Sequence, residues 1–172
     1  MTNITVDNNY CSQLVNLGII EKLKPLICNE VIEVSFQTMW LLANLLGDNI
    51  NNLPIIENEK IYEDILRVGV SFDDNYLKCD NDNANIQLLC FTIANMVRPI
   101  GKNFIKYEFE SLKAIIVLIT KFYMNCDFDN EKNIEQITDC LWALSYITQN
   151  YPNTFDFLVA LNVISRIHND IL

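Results

Sequence analysis

The chain has 172 residues, half of them apolar (51%), with only 4 Gly and 4 Pro. That is ample material for a core and too few turn formers for a β-sandwich. The net charge of −10, from 22 acidic and 12 basic residues, argues against a phosphate-binding surface and so against nucleic acid as a partner. It favours a cationic partner through long-range attraction, although an acidic surface also serves solubility alone.

In chain order, apolar periodicity predicts helices. A short pattern runs from Tyr10 to Leu17 after the Asn8-Asn9 pair, and another from Ile19 to Cys28, with Pro25 as a kink point. A long helix follows around Gln37 to Leu45, then Ile61 to Phe72, a helix around Leu88 to Met96, and Glu110 to Met124. The last are a helix around Asp139 to Ile147, then Thr154 to Leu161 and Val163 to Leu172. Gly47, Pro99 and Pro152 stand at or past the ends of the long helices as stops. The clusters Asp80 to Asn83 and Asp127 to Asn130 offer N-caps. The polar stretch Asp73 to Asn83 reads as a protruding loop.

Cys11, Cys28, Cys79, Cys90, Cys126 and Cys140 form no CxxC pair, and His168 is the one histidine, so no metal site is expected. Met1 to Tyr10 lacks the apolar region of a secretory signal, and the apolar run Ala114 to Thr120 is too short to span a membrane. The expectation is a soluble, reduced, intracellular protein without membrane contact, its thiols buried as small apolar groups.

The long helices repeat. Gln37-Thr-Met-Trp40-Leu-Leu-Ala43-Asn44-Leu45, Leu88-Leu-Cys-Phe91-Thr-Ile-Ala94-Asn95-Met96 and Asp139-Cys-Leu-Trp142-Ala-Leu-Ser145-Tyr146-Ile147 align without gaps at a step of 51 residues. Small Ala43, Ala94 and Ser145 are expected to allow close helix packing. Units of this kind cannot bury their apolar faces alone, so stacking must supply the core.

Residues at i, i+3 and i+7 share a helix face. The repeat therefore predicts three parallel stripes: Gln37, Trp40, Asn44; Leu88, Phe91, Asn95; and Asp139, Trp142, Tyr146. Such a ladder suits an extended cationic peptide. Asn amides can hold a peptide backbone. Aromatic faces can hold the stems of Lys or Arg, with cation–π attraction of ~0.5–2 kcal/mol per contact. Asp48 and Asp139 are the carboxylates available to pair the charged heads. A Trp at helical spacing is more often core, and an Asn four residues later can simply satisfy a backbone group. Recurrence in register at three places favours the groove.

These stretches resemble the importin alpha family. Met39-Trp-Leu-Leu-Ala-Asn-Leu-Leu-Gly-Asp48 is similar to a segment of its third armadillo repeat, Phe91-Thr-Ile-Ala-Asn-Met-Val-Arg98 to one of its fourth, and Asp139-Cys-Leu-Trp-Ala-Leu-Ser-Tyr-Ile-Thr148 to one of its fifth. The resemblance implies an all-α armadillo solenoid with a right-handed superhelix over residues 1–172. Its repeats would be 10–48, 49–99 and 100–150, with a partial repeat at 151–172. It implies a concave groove for nuclear-localisation-signal peptides lined by Gln37, Trp40, Asn44, Phe91, Asn95, Arg98, Asp139, Trp142 and Tyr146, with Asp48 pairing a principal lysine. It also implies lysine- or arginine-rich cargo, no cofactor, and localisation to cytoplasm and nucleus. The basic arm that binds importin beta has no counterpart here, so that partner is not expected by the usual route.

Three departures alter the pattern: Phe91 replaces a Trp, Leu88 an Asn, and Phe36 stands where the family carries a groove glutamate. They favour the alternative of a degenerate armadillo scaffold binding other proteins. An enzyme is the weakest reading, because no phosphate loop or nucleophile motif is visible. Val163, Ile164, Ile167 and Ile171 are expected to leave an apolar face at the C-terminal end, through which the chain would self-associate.

Overall fold

The computed structural model describes residues 8–48, 57–72, 83–99 and 104–171, and those residues form helices and connecting turns with no strand. The helices are α1 (Asn8–Asn16), α2 (Ile19–Ile27), α3 (Ile32–Asp48), α4 (Ile61–Val70), α5 (Asn83–Val97), α6 (Phe109–Met124), α7 (Ile134–Asn150), α8 (Phe155–Ala160) and α9 (Val163–Ile171). None of the described helices is long and apolar enough to cross a membrane. The expected protruding loop, but for Asn83, lies outside the described residues.

Two layers of helices run in chain order. The long helices lie side by side, α3 against α5 and α5 against α7. Behind them α2 packs on α4, α4 on α6, and α9 on α6. One core runs through both layers, from Ile20, Ile27 and Met39 through Ile65, Leu89 and Ile93 to Ile119, Cys140 and Ile147. Close approach of the second layer depends on Gly69: a Cβ there would stand 2.3 Å from Leu118 Cδ2, which only a shift of that buried side chain could relieve.

The turn before three of the second-layer helices has one geometry. Gly18, Lys60 and Asn162 all adopt the left-handed conformation, with φ of 73°, 51° and 59°, immediately before α2, α4 and α9. Lys60 and Asn162 stand two 51-residue steps apart, so the period extends beyond the long helices. Gly and Asn adopt this conformation readily, whereas Lys carries a steric cost.

The segment before α6 is not helical. Residues 104–108 form neither helix nor strand, and Glu108 enters α6 with extended backbone. Tyrosines hold the segment. The Tyr151 hydroxyl accepts from the Tyr107 N–H at 3.2 Å and donates to the Ile105 carbonyl. The Tyr107 hydroxyl donates at 2.7 Å to the carbonyl of Met96, in the last turn of α5, which satisfies a group that a helix end leaves without a partner.

Other expectations change as well. Ser145 is exposed, so of the three expected small spacers Ala43 and Ala94 are buried, and on α7 the small buried residue is Ala143. Asn130 caps the 3-10 turn Glu131–Asn133 through the Lys132 N–H at 3.1 Å, not α7 itself. Cys28 is exposed, in contrast to the buried Cys11, Cys90, Cys126 and Cys140, and Cys79 lies outside the described residues. Val163 is buried and Ile167 packs against the core, so the expected apolar C-terminal face shrinks to Ile164 on α9 with Phe155 and Val159 on α8. Arg166 and the Tyr123 hydroxyl both bond Asp170, at 2.8 and 3.1 Å, and tie α9 to α6. The side chain of Ile171 lies outside the described residues.

Replacing Tyr151 by Phe removes one acceptor and one donor at the buried end of this segment. The expected cost is about 1–3 kcal/mol, read as a lowered urea midpoint at unchanged slope.

Candidate peptide-binding groove

Helix rotation decides which residues can meet a ligand. On α5, Leu89, Cys90, Ile93, Ala94, Met96 and Val97 are buried. On α3 Ser35, Phe36, Thr38, Met39, Leu42, Ala43, Leu45 and Leu46 are buried, and on α7 Gln136, Ile137, Cys140, Ala143, Leu144 and Ile147. The remaining face of each helix carries its predicted stripe, and all nine stripe residues are exposed or half-buried. Trp40 is 40% and Trp142 is 52% exposed, so neither tryptophan is a core residue.

A cleft of about 470 Å³ opens across the three long helices. Trp40 lines it from α3; Ala84, Gln87, Leu88 and Phe91 from α5; Glu135, Thr138 and Asp139 from α7. Trp40, Phe91 and Asp139 of the expected site are thus brought together. The Gln87 amide donates to the Glu135 carboxylate, joining α5 to α7 across the cleft.

The other expected residues take different places. Trp142 stacks on Tyr146 at 5.4 Å between centroids and 23° between planes, a pairing that keeps both rings on the exposed face of α7. Asn95 donates to its own helix at Phe91 O, 3.0 Å away, which leaves its carbonyl oxygen as the acceptor for a ligand. Gln37 and Asn44 flank Trp40 on α3, and Arg98 is exposed just past α5. Asp48 closes α3, and its side chain lies outside the described residues. Phe36 is not a groove position: it is 4% exposed and packs on Phe72 at 6.0 Å. The supposed loss of a groove carboxylate there therefore has no bearing on the cleft.

Glu135, Gln87, Ala84 and Thr138 were missed by sequence reasoning. The signal was present in the 51-residue step, which links Ala84 to Glu135, Gln87 to Thr138 and Leu88 to Asp139. Extending the α5 and α7 stripes one turn towards the helix start finds Ala84 and Glu135; Gln87 and Thr138 are the positions immediately before Leu88 and Asp139.

Partial burial, and then the charge of Glu135, raise the Asp139 carboxyl to about 6. Two carboxylates one turn apart beside aromatic rings make an electrostatic site for a cation, which relieves both causes at once. No three His, Cys, Asp or Glu side chains among the described residues are grouped to hold a metal ion. Cys90 and Cys140 lie directly behind the cleft with their sulfurs 3.5 Å apart, and burial pushes the Cys90 thiol well up.

The fold and the site define an all-helical protein with an aromatic, acid-edged cleft across three repeated helices. No protein-family model, curated protein or solved structure matches this chain.

Because the folded state holds the Asp139 proton more tightly than an unfolded chain does, stability falls as pH rises from about 4 through 6. Asp139→Asn should therefore stabilise the protein at pH 7.5 and have no effect near pH 3.5. Discounted for solvent screening at this half-exposed site, the gain is on the order of 1 kcal/mol, read from thermal melts at the two pH values.

Proposed function

We propose that this chain is an importin-alpha-like armadillo array that binds basic peptides of the nuclear-localisation-signal type, as an adaptor for nuclear protein import acting in cytoplasm and nucleus. The observation that carries the reading is the shared cleft of Trp40, Phe91 and Asp139, contributed by three successive long helices, with Trp40 and Phe91 at one repeat position and Asp139 one turn before the matching position on α7. Its chemistry suits an extended cationic chain. Aromatic faces take the aliphatic stems, the α7 carboxylates take the charged heads, and the Asn95 carbonyl oxygen is free to accept a peptide N–H. The overall charge of −10 adds attraction at long range.

A second reading, an armadillo scaffold for other protein partners, draws on the apolar floor of the cleft at Ala84 and Leu88. The two readings differ in what the cleft discriminates.

The test is a titration with a fluorescent Lys-Lys-Lys-Arg-Lys-type peptide at two salt concentrations, against a control of equal charge with its basic residues dispersed. The import reading expects the clustered peptide to bind at least about tenfold tighter, and the double variant Trp40→Ala, Asp139→Lys to lose that preference. Equal, weak binding of both peptides that vanishes with salt would leave only the net charge at work, and the scaffold reading would replace it.

A further inference from the structure

The cleft carries a narrower statement about its occupant, one that rests on the reading above. Its acidic wall comes from a single helix. Glu135 and Asp139 sit one turn apart on α7, a spacing that puts their Cβ atoms about 5–6 Å from each other on one face. Gln87 already donates its amide N–H to Glu135, so its carbonyl oxygen is left as an acceptor. Trp40 and Phe91 line the same cleft from α3 and α5. One small volume thus holds two carboxylates, an amide oxygen and two aromatic rings.

We propose that this cleft is an arginine pocket: it takes the guanidinium of one arginine of a basic peptide, in preference to lysine, bridging Glu135 and Asp139 against the rings of Trp40 and Phe91.

The preference follows from the shapes of the two cations. A guanidinium is planar and carries five N–H donors along its edges, so it can serve two separated carboxylates and an amide oxygen together. Its flat face remains available to an aromatic ring. A lysine ammonium is a compact charge with three donors, and it offers neither a planar fork to two carboxylates nor a flat face to a ring. It is also the more strongly hydrated ion. Asp139 is only half exposed, so the bound cation must give up part of its water, and arginine gives it up more readily. Carboxylates spread along a helix rather than gathered at a point therefore select the extended cation.

The experiment titrates peptides of equal length and charge: all-Lys, all-Arg, and all-Lys with a single Arg at each position in turn. Wild type and Glu135→Gln are compared at one salt concentration, with the clustered-versus-dispersed Lys control alongside. Glu135 is exposed, so the Gln variant leaves the core untouched, and circular dichroism checks its fold. In wild type the all-Arg peptide should bind about tenfold tighter than all-Lys, one single-Arg peptide should recover most of that gain, and Glu135→Gln should cut the gain to about threefold or less. Equal affinity for Arg and Lys peptides, or an Arg advantage untouched by Glu135→Gln, overturns the arginine pocket. If a clustered Lys peptide still beats its dispersed control in that case, the groove reading stands and only the pocket falls. If no clustered basic peptide beats its dispersed control, the groove reading fails and the pocket with it.

Discussion

Burial of Leu89, Cys90, Ile93, Ala94 and Met96 between two neighbouring long helices fixes the rotation of α5 about its own axis. That rotation leaves Ala84, Gln87, Leu88 and Phe91 facing the cleft, because they occupy the complementary positions of the helix. Most of that buried pattern recurs at the 51-residue step on α3 and α7, with Ser145 the exposed exception. A cleft across three helices is a consequence of how their backs are packed. A substitution that turned α5 by one position would carry Phe91 into the core and break the cleft without touching any of its polar groups.

The site places demands on stability. Asp139 is held half-buried beside Glu135, an arrangement that favours the neutral acid and works against folding at neutral pH. Two tryptophans stay largely exposed on the same surface, where a folded monomer gains little from them. A cation in the cleft would relieve the first and cover Trp40, the tryptophan that lines it. Elsewhere, Tyr151 bonds the backbone at Ile105 and Tyr107, the Tyr107 hydroxyl donates to Met96 O, and Asp170 gathers Arg166 and Tyr123 at the junction of α9 and α6, while the buried Thr120 hydroxyl and Asn150 amide nitrogen have no hydrogen-bond partner among the described residues.

Helix positions were legible in the sequence because each buried face recurs with the helical period, and the long helices were reinforced by their repetition. The outward orientation of Trp40 and Trp142 could be read from the same repeat, since a stripe that stays in register while changing between Asn and Tyr is not one that the core dictates. What escaped was whatever depends on a partner far along the chain. Phe36 matches Gln87 and Thr138 in register, yet it turns inward because Phe72 stands beside it. The irregular segment 104–108 is held by Tyr151, more than forty residues later. Ser145 shares the register of Ala43 and Ala94 but lies in the open, and no neighbour in the structure explains why that position is unburied on α7 alone. Val163 looked like an uncovered apolar residue and is buried. Glu135 was overlooked since the motif was read from the aromatic position outward and stopped one turn short of the start of α7.

The central claim is that the surface formed by α3, α5 and α7 is where a basic peptide lies. It is tested most directly by photo-crosslinking a basic peptide that carries a benzophenone group and mapping the adducts by mass spectrometry. The account predicts adducts concentrated on residues around Trp40, Phe91 and Asp139, and their loss on competition with unlabelled peptide. Adducts on α2, α4 or α6, or adducts scattered over the acidic surface and indifferent to competitor, would contradict it.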